Sequence, residues 1–217
     1  MEDRITPRIQ VEMSDLTADG YVHERVPALR ATPGAQRITW WENCLPGRTD
    51  LPRRLPEFET LGLVEADDDF AAPPPPPGIR SYCFQRTARP GQGILSPRPT
   101  RGVELVLISP KHPERARQLR DWGDFVHIRD IAAASPPHFT MITPYENARN
   151  EAPRFMHLYE LTTDDPEPAF KAMTPATSAY QQRAGTEGAH TWDEWSQHPE
   201  LVIEYVSTFR LLGECRA

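Results

Sequence analysis

The spacing of apolar and polar residues in the second half of the chain predicts a regular series of strands and helices. Residues 103–109 are interpreted as an unbroken apolar run and therefore as a buried strand. Pro113 stands where a first-turn proline belongs, and the helix that it opens should stop before Pro136. The predicted strands are 103–109, 139–145, 154–162 and 201–212, with helices at 113–134 and from Asp164 onward. This order, βαββαβ, is the ferredoxin-like split βαβ unit.

The first half follows the same plan in a degenerate form. Its predicted elements are a weak strand at 8–13, a helix from Ser14 to Pro33, and strands at 36–44, 58–66 and 79–87. The proline tract 73–77 stands where a second helix is expected, and polyproline cannot form a helix. Two antiparallel sheets of this kind can pack face to face. The predicted fold class is therefore α+β, with two tandem ferredoxin-like repeats that close an α+β barrel.

Two pairs of segments share one sequence offset, which indicates an internal repeat. Residues 21–25 match residues 125–129, and residues 38–43 match residues 142–147 without a gap. We therefore divide the chain into an N-terminal repeat with the proline tract, a Pro/Gly/Arg linker, and a C-terminal repeat that is expected to hold the site. These three parts are residues 1–87, 88–101 and 102–217.

Composition and charge exclude several classes of protein. The 217-residue chain has a net charge of -7, whereas a nucleic-acid-binding protein presents a basic face. No apolar run approaches the roughly 18 residues that span a bilayer, and the N-terminus lacks the pattern of a signal peptide. Three widely spaced cysteines suggest neither a disulfide framework nor a CxxC metal site. We expect a soluble cytoplasmic protein, a monomer or homodimer, with no nucleic-acid or membrane partner.

One helix of the second half carries a motif. Its residues are Trp122, Asp124, Val126, His127, Ile128 and Asp130. They resemble the W-Y-D-E-V-H-I-P-D helix of the EthD-like family in the dimeric α/β-barrel superfamily, but Phe125 replaces the usual Glu and Arg129 the usual Pro. The resemblance covers residues 102–214 well and 14–87 in part, which implies a tandem-fused member. The superfamily includes cofactor-free monooxygenases, isomerases, polyketide cyclases and haem peroxidases, so the resemblance implies fold more than activity.

His127 is the first candidate catalytic residue. Asp124 and Asp130 lie three positions before and after it, on one face of the predicted helix. A histidine that is held by a carboxylate has a fixed tautomer and can act as a general base. The competing interpretation is that His127 only bonds across the seam between helix and sheet. Its repeat mate His23 lacks flanking aspartates, so a catalytic role is expected in the second half alone.

Glu146 and its repeat mate Glu42 are the second candidates. A carboxylate at a strand end beside aromatic residues can have a raised pKa and act as an acid or base. The alternative is a solvated strand terminus. Their presence in both halves slightly favours that structural role, because structural needs are what the two repeats share.

A third group consists of aromatic and histidine side chains near the predicted strand ends. Those assigned to substrate binding are Trp40, Trp41, Trp122, His157 and Tyr159, and Tyr145 is assigned to the catalytic group. Facing a cavity, these side chains would bind a flat hydrophobic molecule and offer hydrogen bonds at its edge. Facing the opposite sheet, they would simply be core.

These patterns lead to three functional hypotheses. The first is a cofactor-independent acid/base enzyme, of the lyase, isomerase, dehydratase or cyclase type, that acts on a hydrophobic aromatic or polyketide-like small molecule. His127 would be the base, oriented by Asp124 or Asp130. The acid and oxyanion partners would come from Tyr145, His157, Tyr159 or Glu146. The second is a non-catalytic binding or accessory protein, and the third is a cofactor-free monooxygenase. The seven histidines show neither HxH nor HExxH spacing, so no metal and no cofactor are expected.

Overall fold

The computed structural model describes residues 6–94, 96–184 and 188–217. Its strands are β1 Arg8–Ser14, β2 Ala35–Asn43, β3 Thr60–Ala66, β4 Ile79–Arg86, β5 Gln92–Gly93, β6 Gly102–Pro110, β7 Phe139–Asn147, β8 Phe155–Leu161 and β9 Leu201–Arg216. Its α-helices are α1 Ala18–Glu24, α2 Val26–Arg30, α3 Ala116–Trp122, α4 Ile128–Ala134, α5 Pro166–Ala184 and α6 Trp192–Ser196. A 3₁₀ turn, Pro113–Arg115, precedes α3, and a π-helical turn, Gly123–His127, joins α3 to α4.

The strands form one antiparallel sheet that closes on itself. Their order is β4-β1-β3-β2-β9-β6-β8-β7, and β4 pairs again with β7 to complete an eight-stranded barrel. The short β5 pairs with another part of β7. Closure leaves no long unpaired strand edge. The predicted fold class, a ferredoxin-like α+β barrel of two repeats, is confirmed.

Alternation along each strand separates the inside of the barrel from its outside. In β6, Val103, Leu105 and Leu107 are fully buried within the central cluster of the barrel. Val106 and Ile108 instead pack outward with residues of the helices. The side chains on the outer faces of the two halves therefore meet the helices, and a site between helix and sheet must form there.

Two predictions about the second half need correction. The run 103–109 is not unbroken, because Glu104 lies in it and is 1% exposed. The helix predicted at 113–134 contains the π-helical turn, and a turn of this kind changes which side chains share a face. In the first half, the predicted single helix is two short helices, α1 and α2, that meet at Arg25.

The outer face of the first half is closed by a buried polar network, which we call the N-terminal seam. The Arg25 guanidinium pairs with the Glu12 carboxylate, with an Nη2–Oε1 distance of 2.6 Å, and the Tyr21 hydroxyl donates to the same carboxylate at 3.0 Å. Arg25 also donates to the carbonyl oxygens of Pro73 and Pro74 at 2.8 and 3.2 Å. The proline tract is thereby fixed to the barrel, and its carbonyls satisfy the buried guanidinium.

Candidate functional site

A cavity of about 310 Å³ lies between the outer face of the C-terminal half of the sheet and its helices. Strands β6, β8 and β9 form the floor, and α5, α6 and the π-helical turn form the walls and roof. Its aromatic lining consists of Trp122, Tyr159, Phe170, Trp192 and Trp195. The volume is at the lower end of the range for small-molecule sites. A carboxyl group and two imidazoles also line it, namely those of Glu104, His127 and His157.

Glu104 is a buried carboxyl group without a hydrogen-bond partner at one oxygen. Its Oε2 atom has no partner among the described residues. Burial raises the pKa of Glu104 to about 8; the nearby Arg48 acts against this shift and Glu167 adds to it. The charged form is disfavoured because the site is desolvated. At neutral pH the group is therefore mainly a carboxylic acid, which can donate a hydrogen bond.

His157 and Asp124 form a buried pair at the other side of the floor. The His157 Nε2 atom is 3.1 Å from Asp124 Oδ1, and both residues are under 5% exposed. The Asp124 carboxylate can only accept a hydrogen bond, so Nε2 carries the hydrogen and donates it, and Nδ1 is the basic nitrogen. Asp124 is held in turn by Arg89, whose Nη1 donates to Oδ2 at 3.1 Å. This is the arrangement in which a carboxylate orients a histidine base.

The close approach of His157 to the helices depends on Gly123, the first residue of the π-helical turn. A Cβ atom at this position would lie 2.9 Å from His157 Cε1, which is shorter than van der Waals contact. The turn therefore both carries Asp124 and leaves room for the imidazole that Asp124 holds.

His127 also lines the cavity, but its surroundings differ from those predicted. Its Nδ1 donates to the Trp195 carbonyl at 3.0 Å, and its ring stacks on Trp195 with centroids 5.0 Å apart. Burial lowers the pKa of His127 to about 4, although the bond to the Trp195 carbonyl acts in the opposite direction. A neutral imidazole with this pKa is a weak base. Its Nε2 is nevertheless a hydrogen-bond acceptor.

The predicted orientation of His127 by a flanking aspartate is wrong. Asp124 pairs with His157 instead, and Asp130 accepts from the His190 backbone at 2.9 Å and from its ring Nδ1 at 3.0 Å. The π-helical turn ends at His127, so the three side chains do not share a face as they would in an α-helix.

The short helix α6 is tied to the π-helical turn and completes the roof. The Trp195 indole donates to the His127 carbonyl at 3.0 Å, and the Trp122 indole donates to the Glu194 carbonyl at 2.7 Å. Thr191 caps the helix in a capping box with Glu194. Trp192 is 44% exposed and lies at the cavity, so it forms part of the boundary with solvent.

Register along the sheet sets the spacing of the polar groups on the floor. Glu104 of β6 faces Tyr159 of β8, and His157 is the next residue of β8 on the same face. Diagonal neighbours of this kind are roughly 7 Å apart. Burial raises the pKa of Tyr159 well above its ordinary value, and the Glu104 charge adds to the effect. A small ligand could therefore contact an acid, a phenol and a histidine at once.

The first half contributes to the cavity through the loop after β2. Leu51 of this loop lines the cavity, and the fully buried Arg48 side chain lies beside it. Arg48 pairs with Glu167 of α5, and its guanidinium lies 4.4 Å from the centre of the Phe170 ring. Arg48 thus supports the wall of the site from the other repeat.

Of the residues predicted for the site, His127, His157, Trp122 and Tyr159 line the cavity, and Asp124 lies directly behind it. Four others lie elsewhere. Trp41 and Tyr145 belong to the core of the barrel, and Trp40 packs with the outer cluster of the first half. Glu146 is paired with Arg120, at 2.6 Å, and with Arg154.

Glu42, the repeat mate of Glu146, is likewise paired, since it accepts from Arg210 Nε at 2.6 Å. Both strand-end glutamates are thus engaged in ion pairs with arginines. Sequence reasoning missed Glu104, although a single acidic residue in an apolar strand was a usable signal. It also missed Arg48, for which the loop sequence gave no signal.

Within residues 6–94, 96–184 and 188–217, no three His, Cys, Asp or Glu side chains cluster in a way that could hold a metal ion. No helix in the same ranges has the length and apolar character needed to cross a bilayer.

No protein-family model matches the chain, and no curated protein does. Solved structures match it over nearly its whole length. An anthrone oxidase-like protein is 12% identical with a TM-score of 0.52, and 99% of this chain and 95% of that chain are covered. A major regulator of staphylococcal pathogenesis is 9% identical with a TM-score of 0.51, at coverages of 95% and 99%. Chlorite dismutase from Candidatus Nitrospira defluvii is 10% identical with a TM-score of 0.50, at coverages of 96% and 92%.

Likeness at such low identity establishes the fold and nothing finer. The chain has the ferredoxin-like α+β barrel that these proteins share, and their different names illustrate how many functions one fold can serve. The resemblance to the EthD-like family is not confirmed and stays a prediction.

Proposed function

We propose that this protein is a cofactor-independent acid/base enzyme that acts on a hydrophobic aromatic small molecule in the C-terminal cavity. One observation carries the proposal: Glu104 and His157 line the same aromatic cavity. Glu104 is a buried carboxyl group whose Oε2 has no hydrogen-bond partner among the described residues, and His157 is held by the Asp124 carboxylate. A pair of titratable groups in contrasting environments is the usual means of dividing acid and base roles.

In this proposal His157 is the base and Glu104 the acid. The His157 Nδ1 atom removes a proton from a carbon next to a carbonyl group, and the Glu104 hydroxyl gives its proton to the carbonyl oxygen. The product is an enol. His157 then delivers its proton to another carbon while the enol hydroxyl returns its proton to Glu104, which completes an isomerisation and restores both groups. Asp124 acts as a positioning residue, since it holds the His157 tautomer. A Glu104 pKa of about 8 suits an acid that works near neutrality.

His127 has a different role from the one first predicted for it. Its low pKa, about 4, argues against a base, whereas a fixed neutral ring with Nε2 as acceptor can orient a substrate hydroxyl group. Its ring, together with those of Trp122 and Trp195, also supplies flat surface for an aromatic ligand.

The experiment measures proton exchange without knowledge of the natural substrate. Aromatic ketones such as 1-indanone and 1-tetralone are incubated with the full chain in D₂O, and loss of the α-proton signal is followed by NMR. We expect protein-dependent exchange that falls about 100-fold or more in His157→Gln and Glu104→Gln. His23→Gln, the exposed repeat mate of His127, is the matched control and should exchange at the wild-type rate.

The two alternative functions predict other outcomes. Ligand binding with no exchange in any ketone of the panel would favour the binding or accessory protein and would contradict the enzyme. Oxygen consumption with a bound ketone or phenol, measured with an oxygen electrode, would favour a cofactor-free monooxygenase. The anthrone oxidase-like neighbour makes this measurement worthwhile, although its 12% identity supports only the fold.

A further inference from the structure

Resting on the proposed function, we propose that the cavity selects an uncharged aromatic molecule whose oxygen accepts a hydrogen bond from Glu104, and that it rejects the matching carboxylate. The class of ligand follows from which protein groups are left unsatisfied in the cavity and which are already paired.

The unsatisfied group is the Glu104 carboxyl. It lines the cavity, is 1% exposed, and has no partner at Oε2 among the described residues. A buried polar group of this kind is normally hydrogen-bonded in a folded protein. A ligand oxygen that accepts the Glu104 proton would supply the missing partner.

Among the described residues near Glu104, the groups that carry or can take a positive charge, Arg48 and His157, are already paired with the carboxylates of Glu167 and Asp124. Tyr159 of β8 and Thr208 of β9 are its direct cross-strand neighbours. Arg48, the nearby guanidinium, is paired with Glu167 and Asp50. Its buried Nε lacks a hydrogen-bond partner among the described residues, but Arg48 lies against Phe170 and does not line the cavity. A ligand carboxylate would therefore be buried without a counter-charge beside a second acid, which is strongly unfavourable.

The remaining polar groups of the lining favour a neutral ligand as well. His127 is neutral because burial keeps its pKa at about 4, and it presents Nε2 as an acceptor. A protonated amine could lie against the tryptophan rings, since cations bind aromatic faces. It would require Glu104 to ionise, however, and burial opposes that ionisation. A neutral ketone or phenol needs no such change.

Three probes of nearly equal shape test the inference. They are 1-indanone, 1-aminoindane as its ammonium ion, and indane-1-carboxylate, each titrated into the full chain by calorimetry at about pH 7. We expect the ketone to bind at least about tenfold more tightly than either ion, the difference that one hydrogen bond to a buried group can make. Tighter binding of the amine or of the carboxylate, or equal binding of all three, would overturn the inference.

Substitutions at Glu104 and a pH series provide the controls. The ketone affinity of the wild type should fall as pH rises through about 8, because ionised Glu104 cannot donate. Glu104→Gln keeps a donor and should bind the ketone without this pH dependence, whereas Glu104→Leu should lose about tenfold in affinity. Circular dichroism checks that both variants fold. An unchanged affinity in a folded Glu104→Leu protein contradicts the inference.

The result is separable from the test of the enzyme. Tight ketone binding without α-proton exchange keeps the ligand class and rejects the proposed catalysis. If α-proton exchange occurs and falls in His157→Gln, but the amine is the tightest ligand, the proposed catalysis is kept and the ligand class is rejected.

Discussion

The N-terminal seam and the C-terminal cavity occupy the same place in two copies of one architecture. Ile38 and Ile142 are repeat mates, and they face Val64 of β3 and Tyr159 of β8. Gly62 therefore corresponds to His157, two residues earlier on each strand. In the first half the Tyr21 hydroxyl fills the space over Gly62, where a Cβ atom would lie 1.9 Å from it.

The difference between the two halves is how their buried polar groups are satisfied. Gln10, which corresponds to Glu104 by register, donates to Ser81 at 2.6 Å, and the Glu12 carboxylate binds both Arg25 and Tyr21. In the second half, Phe125 replaces Tyr21 and is 47% exposed, so its ring does not fill the corresponding space between helix and sheet. The first repeat thus uses its polar groups for stability, and the second leaves one carboxyl group available to a ligand.

The largest expected effect comes from removing the buried carboxyl group of each half, Glu12 in the first and Glu104 in the second, one at a time. Glu12→Leu leaves the Arg25 guanidinium buried and unpaired, and we expect a loss of about 3–5 kcal/mol in the free energy of unfolding. Glu104→Leu removes a buried carboxyl group whose Oε2 has no hydrogen-bond partner among the described residues. Because burial of such a group is unfavourable, the substitution should leave the free energy of unfolding unchanged or raise it. Urea denaturation of both variants makes the measurement. Similar losses in the two would contradict the contrast between the halves.

The next effect is a pH dependence that only the second half should show. The folded pKa of Glu104 is raised from 4.5 to about 8, so its stabilising contribution is present at low pH and is lost as pH rises through 8. His127 has the opposite sign, because its lowered pKa reduces stability as pH falls from 6.5 to about 4. Above pH 6.5, therefore, Glu104 is the one of these two groups whose titration changes stability, and it should lower the free energy of unfolding by about 1.4 kcal/mol per pH unit up to 8.

Glu104→Gln should remove that slope, because a side-chain amide does not titrate. Wild type and Glu104→Gln are compared by denaturant unfolding at several pH values between 6.5 and 8. Groups elsewhere in the chain contribute equally to both proteins and cancel in the difference. A slope that is the same in wild type and variant would mean that Glu104 is ionised in the folded protein.

The sequence predicted the barrel because repeat and alternation are properties of the chain itself. The offset between residues 38–43 and 142–147 and the apolar run at 103–109 can both be read directly from the order of the residues. The division at residues 87 and 102 stays a prediction. Strand β5 lies within the predicted linker, and two residues carry too little pattern to predict a strand.

The site was only partly predictable because its pairs are formed across elements. His157 and Asp124 were both named from the sequence, but their pairing depends on a π-helical turn that helical periodicity does not indicate. Trp40 and Trp41 were assigned to the site by residue type alone. In the folded strand β2, Trp41 lies in the core of the barrel and Trp40 packs with the outer cluster of the first half. Glu104 was overlooked because the run around it is so apolar, which is also the reason that its pKa is raised.

The smallest expected effect comes from substituting the glycine on which each half depends, Gly62 in the first half and Gly123 in the second. Ala at position 62 would place Cβ 1.9 Å from the Tyr21 hydroxyl, and Ala at position 123 would place it 2.9 Å from His157 Cε1. We expect each substitution to lower the free energy of unfolding by about 1–3 kcal/mol, with Gly62→Ala the more severe, because overpacking forces neighbours to shift. Only Gly123→Ala should also reduce ketone α-proton exchange, since it displaces the imidazole that Asp124 holds. Reduced exchange in a folded Gly62→Ala protein would show that the two halves are not independent, and that the N-terminal seam supports the chemistry as well as the fold.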